Sequence, residues 1–211
     1  MTVKKVAIGG GPALEISTLD GPSRGAAWGD DNTIVAASGA PETGLLRIAP
    51  AGGEPAVLTK PNRERGEADH LYPHVLPGSK SILFTITALT GSIDTAQVAV
   101  LDVPTGAWRT LIRGASQAQY VPSGHLVYPA GGALWAVAFD VSRLEVIGTA
   151  VVVVPQVVTL PTGAAEFDIA RDGTLVYVGH GGTSAAPRTL VWVDRRGRET
   201  TSRRARAPRS T

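Results

Sequence analysis

Apolar and polar positions along this chain alternate in short runs, and the runs are cut by tight polar turns. Thr33-Ile34-Val35 follows the turn at Asp31-Asn32, and Ser81-Ile82-Leu83-Phe84 follows Gly78-Ser79-Lys80. The same phrase returns as Ser123-Gly124 before His125-Leu126-Val127-Tyr128, and as Asp172-Gly173 before Thr174-Leu175-Val176-Tyr177. The turns begin at 31, 78, 123 and 172, so the intervals are 47, 45 and 49 residues. Runs of period two bounded by Asn, Asp and Gly predict strands and hairpins, because those residues tolerate φ > 0. No long stretch carries a 3.6-residue apolar period, so helices are expected to be few. A strand-and-turn repeat of about 40 to 50 residues is the pattern of propeller blades.

Each repeat divides into four short strands, which predicts an all-β fold: a β-propeller of four-stranded antiparallel blades. Blades are expected over about 24–59, 70–112, 118–154 and 163–198. The opening segment Lys4 to Ile8, Gly9-Gly10-Gly11 and Pro12 to Ser17 copies only the second hairpin of a blade, a half-blade over 4–18. From Arg198 the polarity becomes that of a tail where a fourth strand belongs. The expectation is therefore a partial propeller over 1–199, an incomplete array of about four blades, followed by a disordered Arg-rich tail over 200–211. Closed propellers have about four to eight blades, and open arrays leave unpaired sheet edges that favour association. The chain reads as part of a larger protein that self-associates through open blade edges.

Composition changes this picture little. The 25 glycines and 15 prolines among 211 residues supply the turns, and 43% hydrophobic residues supply a core. Cysteine is absent, which excludes disulfides and thiolate metal sites. The net charge of +2 conceals an asymmetry. Seven arginines and one acid between Arg195 and Thr211 give that end +6, leaving about −4 for the rest. That end has no aromatic residue for base stacking and no apolar face for lipid insertion. Neither nucleic-acid binding nor direct membrane insertion is expected. No apolar h-region opens the chain and no apolar stretch reaches the length of a membrane helix. The compartment stays open: cytoplasmic as written, extracytoplasmic if attached to a membrane-spanning parent.

Several stretches resemble the TolB-type, WD-repeat-like propeller found at the C-terminal end of many bacterial eukaryotic-like serine/threonine protein kinases. They are Ala27-Trp28-Gly29-Asp30-Asp31-Asn32-Thr33-Ile34-Val35, Ala51-Gly52-Gly53-Glu54-Pro55, Ala96-Gln97-Val98-Ala99-Val100-Leu101-Asp102 and Tyr120-Val121-Pro122-Ser123-Gly124-His125-Leu126-Val127-Tyr128. Asp172-Gly173-Thr174-Leu175-Val176-Tyr177 and Leu190-Val191-Trp192-Val193-Asp194-Arg195-Arg196-Gly197 continue the likeness, which covers about residues 4 to 199. The resemblance implies an accessory sensing or scaffolding segment. No kinase motif accompanies it: there is no glycine-rich nucleotide loop with its strand lysine, no His-Arg-Asp and no Asp-Phe-Gly. An alternative parent is a peptidase or a periplasmic, TolB-like transport accessory protein.

Candidate chemistry is sparse. Gly9-Gly10-Gly11-Pro12 lacks the helix N-terminus that a phosphate cradle needs, and reads as a hairpin turn. His70 and His74 on one strand would stand about 13 Å apart, too far for one zinc ion. Ser184 lacks the second glycine of a nucleophile elbow. The chain is therefore expected to be no enzyme and to need no cofactor or metal. The tryptophans at 28, 108, 135 and 192 are expected mostly to pack between blades. Long loops at Lys60 to His70, Ala88 to Thr95 and Gly179 to Arg188 should share one rim. On that rim Arg63, Arg65, Glu67, Asp69 and His70 are the candidate binding residues for a protein or small polar partner.

Overall fold

In the computed structural model the described residues are 1–40, 42–90, 92–179, 191–193 and 197–201. A two-stranded hairpin, β1 (Thr2–Lys5) and β2 (Leu14–Thr18), precedes four sheets of four strands. Blade 1 is β3 (Ser23–Trp28), β4 (Ile34–Ser38), β5 (Leu45–Ile48) and β6 (Ala56–Val57). Blade 2 is β7 (Glu67–Val75), β8 (Ser81–Ala88), β9 (Gln97–Asp102) and β10 (Trp108–Arg113). Blade 3 is β11 (Gln119–Val121), β12 (His125–Ala130), β13 (Ala133–Asp140) and β14 (Glu145–Val154). Blade 4 is β15 (Phe167–Ile169), β16 (Leu175–Tyr177), β17 (Val191–Val193) and β18 (Glu199–Thr201). Every sheet is an antiparallel meander in chain order. This is the all-β, four-blade propeller arrangement.

The repeated phrase owes its recurrence to backbone geometry. Asn32, Ser79, Gly124 and Gly173, one in each blade, adopt φ of 62°, 56°, 80° and 86°. In blades 1 and 4 the aspartate of the turn also holds the start of the next strand. Asp31 accepts from the Thr33 amide at 3.1 Å, and Asp172 from the Thr174 amide at 2.9 Å. These Asx-type bonds give a turn its own hydrogen-bonding closure.

Period-two alternation then sends each strand's two faces to two different neighbours. Ile34 and Ala36 of β4 pack with Ile16 and Leu19 of the hairpin segment, while Val35 and Ala37 pack with Ile82, Phe84 and Ile86 of blade 2. Leu83 on the opposite face of β8 joins Leu126, Val137 and Phe139 of blade 3. Val127 and Leu134 meet Ala165 and Phe167 of blade 4. The core is a series of inter-blade layers, so a central strand is buried on both faces.

Two expectations change. A fourth strand does complete blade 4: Glu199–Thr201 pairs with β17, so the sheet does not stop at residue 198 and the tail does not begin at 200. Ladder pairing needs only backbone groups, and a polar Glu-Thr-Thr run supplies them as well as an apolar run does. Blade 2 also starts earlier than residue 70, because β7 reaches back to Glu67 and pairs it with Ala88. Residues 202–211 of the expected tail lie outside the described residues. The tryptophans divide: Trp108 and Trp135 are partly buried, whereas Trp28 and Trp192 are 57% and 51% exposed.

Candidate functional site

The first strands of the four blades surround a central channel. At one end, Trp28 and Asp30, His74, Tyr120, Ile169 and Arg171 line a hollow of about 530 Å³. There Arg171 approaches Asp30 to 3.8 Å across the opening. At the other end a second hollow of about 430 Å³ lies among Arg24, Arg63, Asp69, Ser92, Ile93 and Thr162. Blade 1, the loop leading into blade 2, the loop after β8 and the loop leading into blade 4 all reach this second mouth.

The loop leading into blade 2 is built to be rigid. A short 3-10 turn, Arg63–Arg65, is capped by Asn62, whose side chain accepts from the Arg65 amide at 3.2 Å. Gly66 ends the turn at φ 78°, in the left-handed region that favours glycine. Glu67 then points inward: its Oε2 accepts from the Asn62 amide at 2.7 Å and from the His70 Nε2–H at 3.0 Å. The other ring nitrogen, Nδ1, accepts from the Thr59 hydroxyl at 2.8 Å. Thr59 Oγ1 accepts in turn from the Leu45 amide at 3.0 Å. This assignment makes His70 a neutral imidazole with both nitrogens satisfied. Burial lowers its pKa below the usual value, and the Glu67 carboxylate only partly offsets that. The ring sits against Phe84 and Trp108, with centroids 4.9 and 5.5 Å away.

Of the five rim candidates, therefore, three are on or beside the mouth and two are inside. His70 is fully buried and Glu67 nearly so, and neither is open to a macromolecular partner. They fasten blade 2 to blade 1 instead. Arg63 and Asp69 line the mouth. Arg65 lies on the same 3-10 turn and is exposed, but does not line it. Asp69 is half-buried, and burial pushes its carboxyl up to about 6 against the pull of the His70 amide, Arg24 and Arg63. The loops Lys60 to His70 and Ala88 to Thr95 do converge here, and the Leu89 amide donates to Gly66 O at 2.9 Å. Residues 180–188 of the third expected rim loop lie outside the described residues.

Sequence reasoning missed Arg24 and Thr162, which belong to other blades. Both line the hollow, and two bonds to neighbouring blades hold the loop that carries Thr162 in place. The Tyr72 hydroxyl of β7 donates to Thr162 O at 2.9 Å, and Ser116 Oγ donates to Gly163 O at 2.6 Å. Tyr72 reaches inward because its φ is 51° and the ladder slips between Leu71 and His74. The same irregularity separates the two histidines. His74 turns to the far mouth, where burial lowers its pKa while Asp168 and a hydrogen bond with the Tyr120 backbone oppose the shift.

No protein-family model matches the chain, and no curated protein matches it in sequence. Solved structures match it in shape. An Agrobacterium tumefaciens protein assigned as TolB superimposes with a TM-score of 0.67 at 14% identity, over 95% of this chain and 73% of that one. The likeness is one of fold: the chain is a β-propeller. A calcium-binding regucalcin of Agrobacterium tumefaciens gives 0.65 at 12% identity, over 94% of this propeller and 65% of that chain. An auxiliary nutrient binding protein from Bacteroides ovatus gives 0.61 at 13%, over 90% and 49%. The propeller thus spans between 49% and 73% of these structures.

Proposed function

We propose that this propeller is a binding segment that performs no chemistry of its own, and that it holds its partner at the Arg24–Arg63–Asp69 mouth. The observation that carries the reading is the convergence of two arginines and a half-buried carboxyl from two blades, on a hollow backed by loops of blades 2 and 4. Loops held by a rigid scaffold are where recognition concentrates. With Asp69 protonated the two guanidinium groups dominate, which suits an acidic peptide loop or a small carboxylate-bearing ligand.

Two parents fit such a segment. One is a bacterial serine/threonine-kinase-like protein, in which the propeller would be a sensor or scaffold; the phrases around Ala27–Val35 and Tyr120–Tyr128 support it. The other is a peptidase or a periplasmic TolB-like accessory protein, and the fold likeness to TolB supports that one. The neighbouring coding sequence separates them: a kinase domain upstream favours the first, a hydrolase domain downstream the second.

The test of the mouth is calorimetric titration with acidic and basic peptides of equal length. Acidic peptides should bind, more tightly at pH 5 than at pH 7, and Arg24→Glu should weaken them about tenfold or more. Equal affinity for both peptide sets, or no effect of Arg24→Glu, would sink the proposal.

A further inference from the structure

Each blade ends in an outer strand whose far side has no neighbour in its sheet among the described residues. Such an edge is a template for another strand unless it is short, charged or covered. Three of the four are guarded. Strand β6 has two residues, β18 has three polar ones, and β10 carries Arg109 and Arg113. Arg109 also donates to Arg143 O and Leu144 O, tying that edge to blade 3. The opening hairpin has Lys4 and Lys5 on one strand and Glu15 on the other.

Strand β14 is neither short nor highly charged, and no described segment covers it. It runs for ten residues, Glu145–Val154, and its one charge is at the first position. Ile147, Val151, Val152 and Val153 are exposed, the three valines by 59%, 46% and 46%. Two irregularities interrupt its ladder with β13, and neither puts a charge on the edge. Exposed β-branched residues on an unpaired edge are a cost that a lone propeller gains nothing from.

We infer that β14 is a self-association edge, on which a second copy of this chain adds its own β14 in the antiparallel sense. An unpaired edge asks for an extended backbone, and an uncharged one asks for an uncharged partner strand. The chain itself presents that strand, exposed along most of its length. In the two-fold antiparallel register centred on Val152, Val152 faces its own copy and Val151 faces Val153, a favourable cross-strand pairing. Glu145 falls outside the overlap, so no like charges meet. A two-fold interface of this kind is self-complementary by construction. It involves few residues beside the roughly 20 to 30 a side of a standard interface, so the dimer is weak and dependent on concentration.

The test is sedimentation of the whole chain over a wide concentration range, with Val152→Lys and Val153→Lys beside it. The parent should dimerise as concentration rises, and each lysine should weaken association about tenfold or more. Hydrogen exchange on the unaltered chain gives a second readout independent of the variants: the amides of Val151–Val153 should gain protection as the dimer forms. A chain that stays monomeric, including one that instead captures an extended peptide from another protein, overturns the inference. So does association that survives both lysines with the β14 amides unprotected, since it must then use another edge.

Discussion

His70 and Glu67, three residues apart, are joined by a 3.0 Å hydrogen bond inside the junction of blades 1 and 2. The bond fixes the ring so that its second nitrogen faces Thr59 of the preceding blade. Every member of this buried set has a partner, and removing one leaves another exposed to desolvation without compensation. Thr59→Val deletes the hydroxyl that serves both Nδ1 and the Leu45 amide. It should cost about 1 to 3 kcal/mol in urea unfolding. A cost near zero would mean that the network relaxes and does not hold the blades.

The same site is closed to added volume. A Cβ at Gly44 would meet Thr59 Oγ1 at 2.8 Å and the His70 Cβ at 2.9 Å, while one at Gly9 would meet nothing within 4 Å. Gly44→Ala should therefore lower the melting temperature, by the equivalent of about 1 to 3 kcal/mol. Gly9→Ala, in the exposed hairpin, should leave it unchanged. Equal effects would refute the packing argument.

Stability should depend on pH through three groups with opposite signs. His70 and His74 have pKa values lowered by burial, so the unfolded chain takes up protons first. Their contribution is complete above about pH 6.5, the ordinary histidine value, and is lost as pH falls below it. Asp69, raised to about 6, acts the other way: its contribution is complete below the ordinary carboxyl value and is lost as pH rises through 6. Melting curves between pH 5 and 7.5 should show Asp69→Asn steepening the loss toward acid, because it removes the opposing group. A flatter profile in that variant would contradict the assigned direction.

Inter-blade layers should dominate the energetics. Leu83 is fully buried between blades 2 and 3, and Leu83→Ala should cost about 2 to 5 kcal/mol. Trp28, large but exposed at the far mouth, should cost within about 0.5 kcal/mol when replaced by alanine. Denaturant midpoints compare the two, and a larger loss for Trp28 would mean that its ring packs where the fold leaves it open.

The blade repeat was legible in the sequence because its cause is local. An Asp, Asn, Ser or Gly that accepts positive φ at a fixed interval marks a hairpin whatever surrounds it, and Asn32, Ser79, Gly124 and Gly173 all do so. Strand alternation was legible for the same reason, although period two alone does not say that Val35 faces blade 2 while Ile34 faces the opening hairpin. The candidate site was legible in part. Arg63 and Asp69 could be placed on a rim from their loop, but Arg24 and Thr162 arrive from segments distant in sequence, and only the packing of the blades against one another brings them there. Glu67 and His70 read as surface residues because polar side chains normally stay in water. Their burial depends on Thr59, the Asn62 amide and the faces of Phe84 and Trp108, partners that come together only when blade 2 docks on blade 1. A polar residue's place is decided by whether its hydrogen bonds are met inside, and that is a property of the tertiary structure.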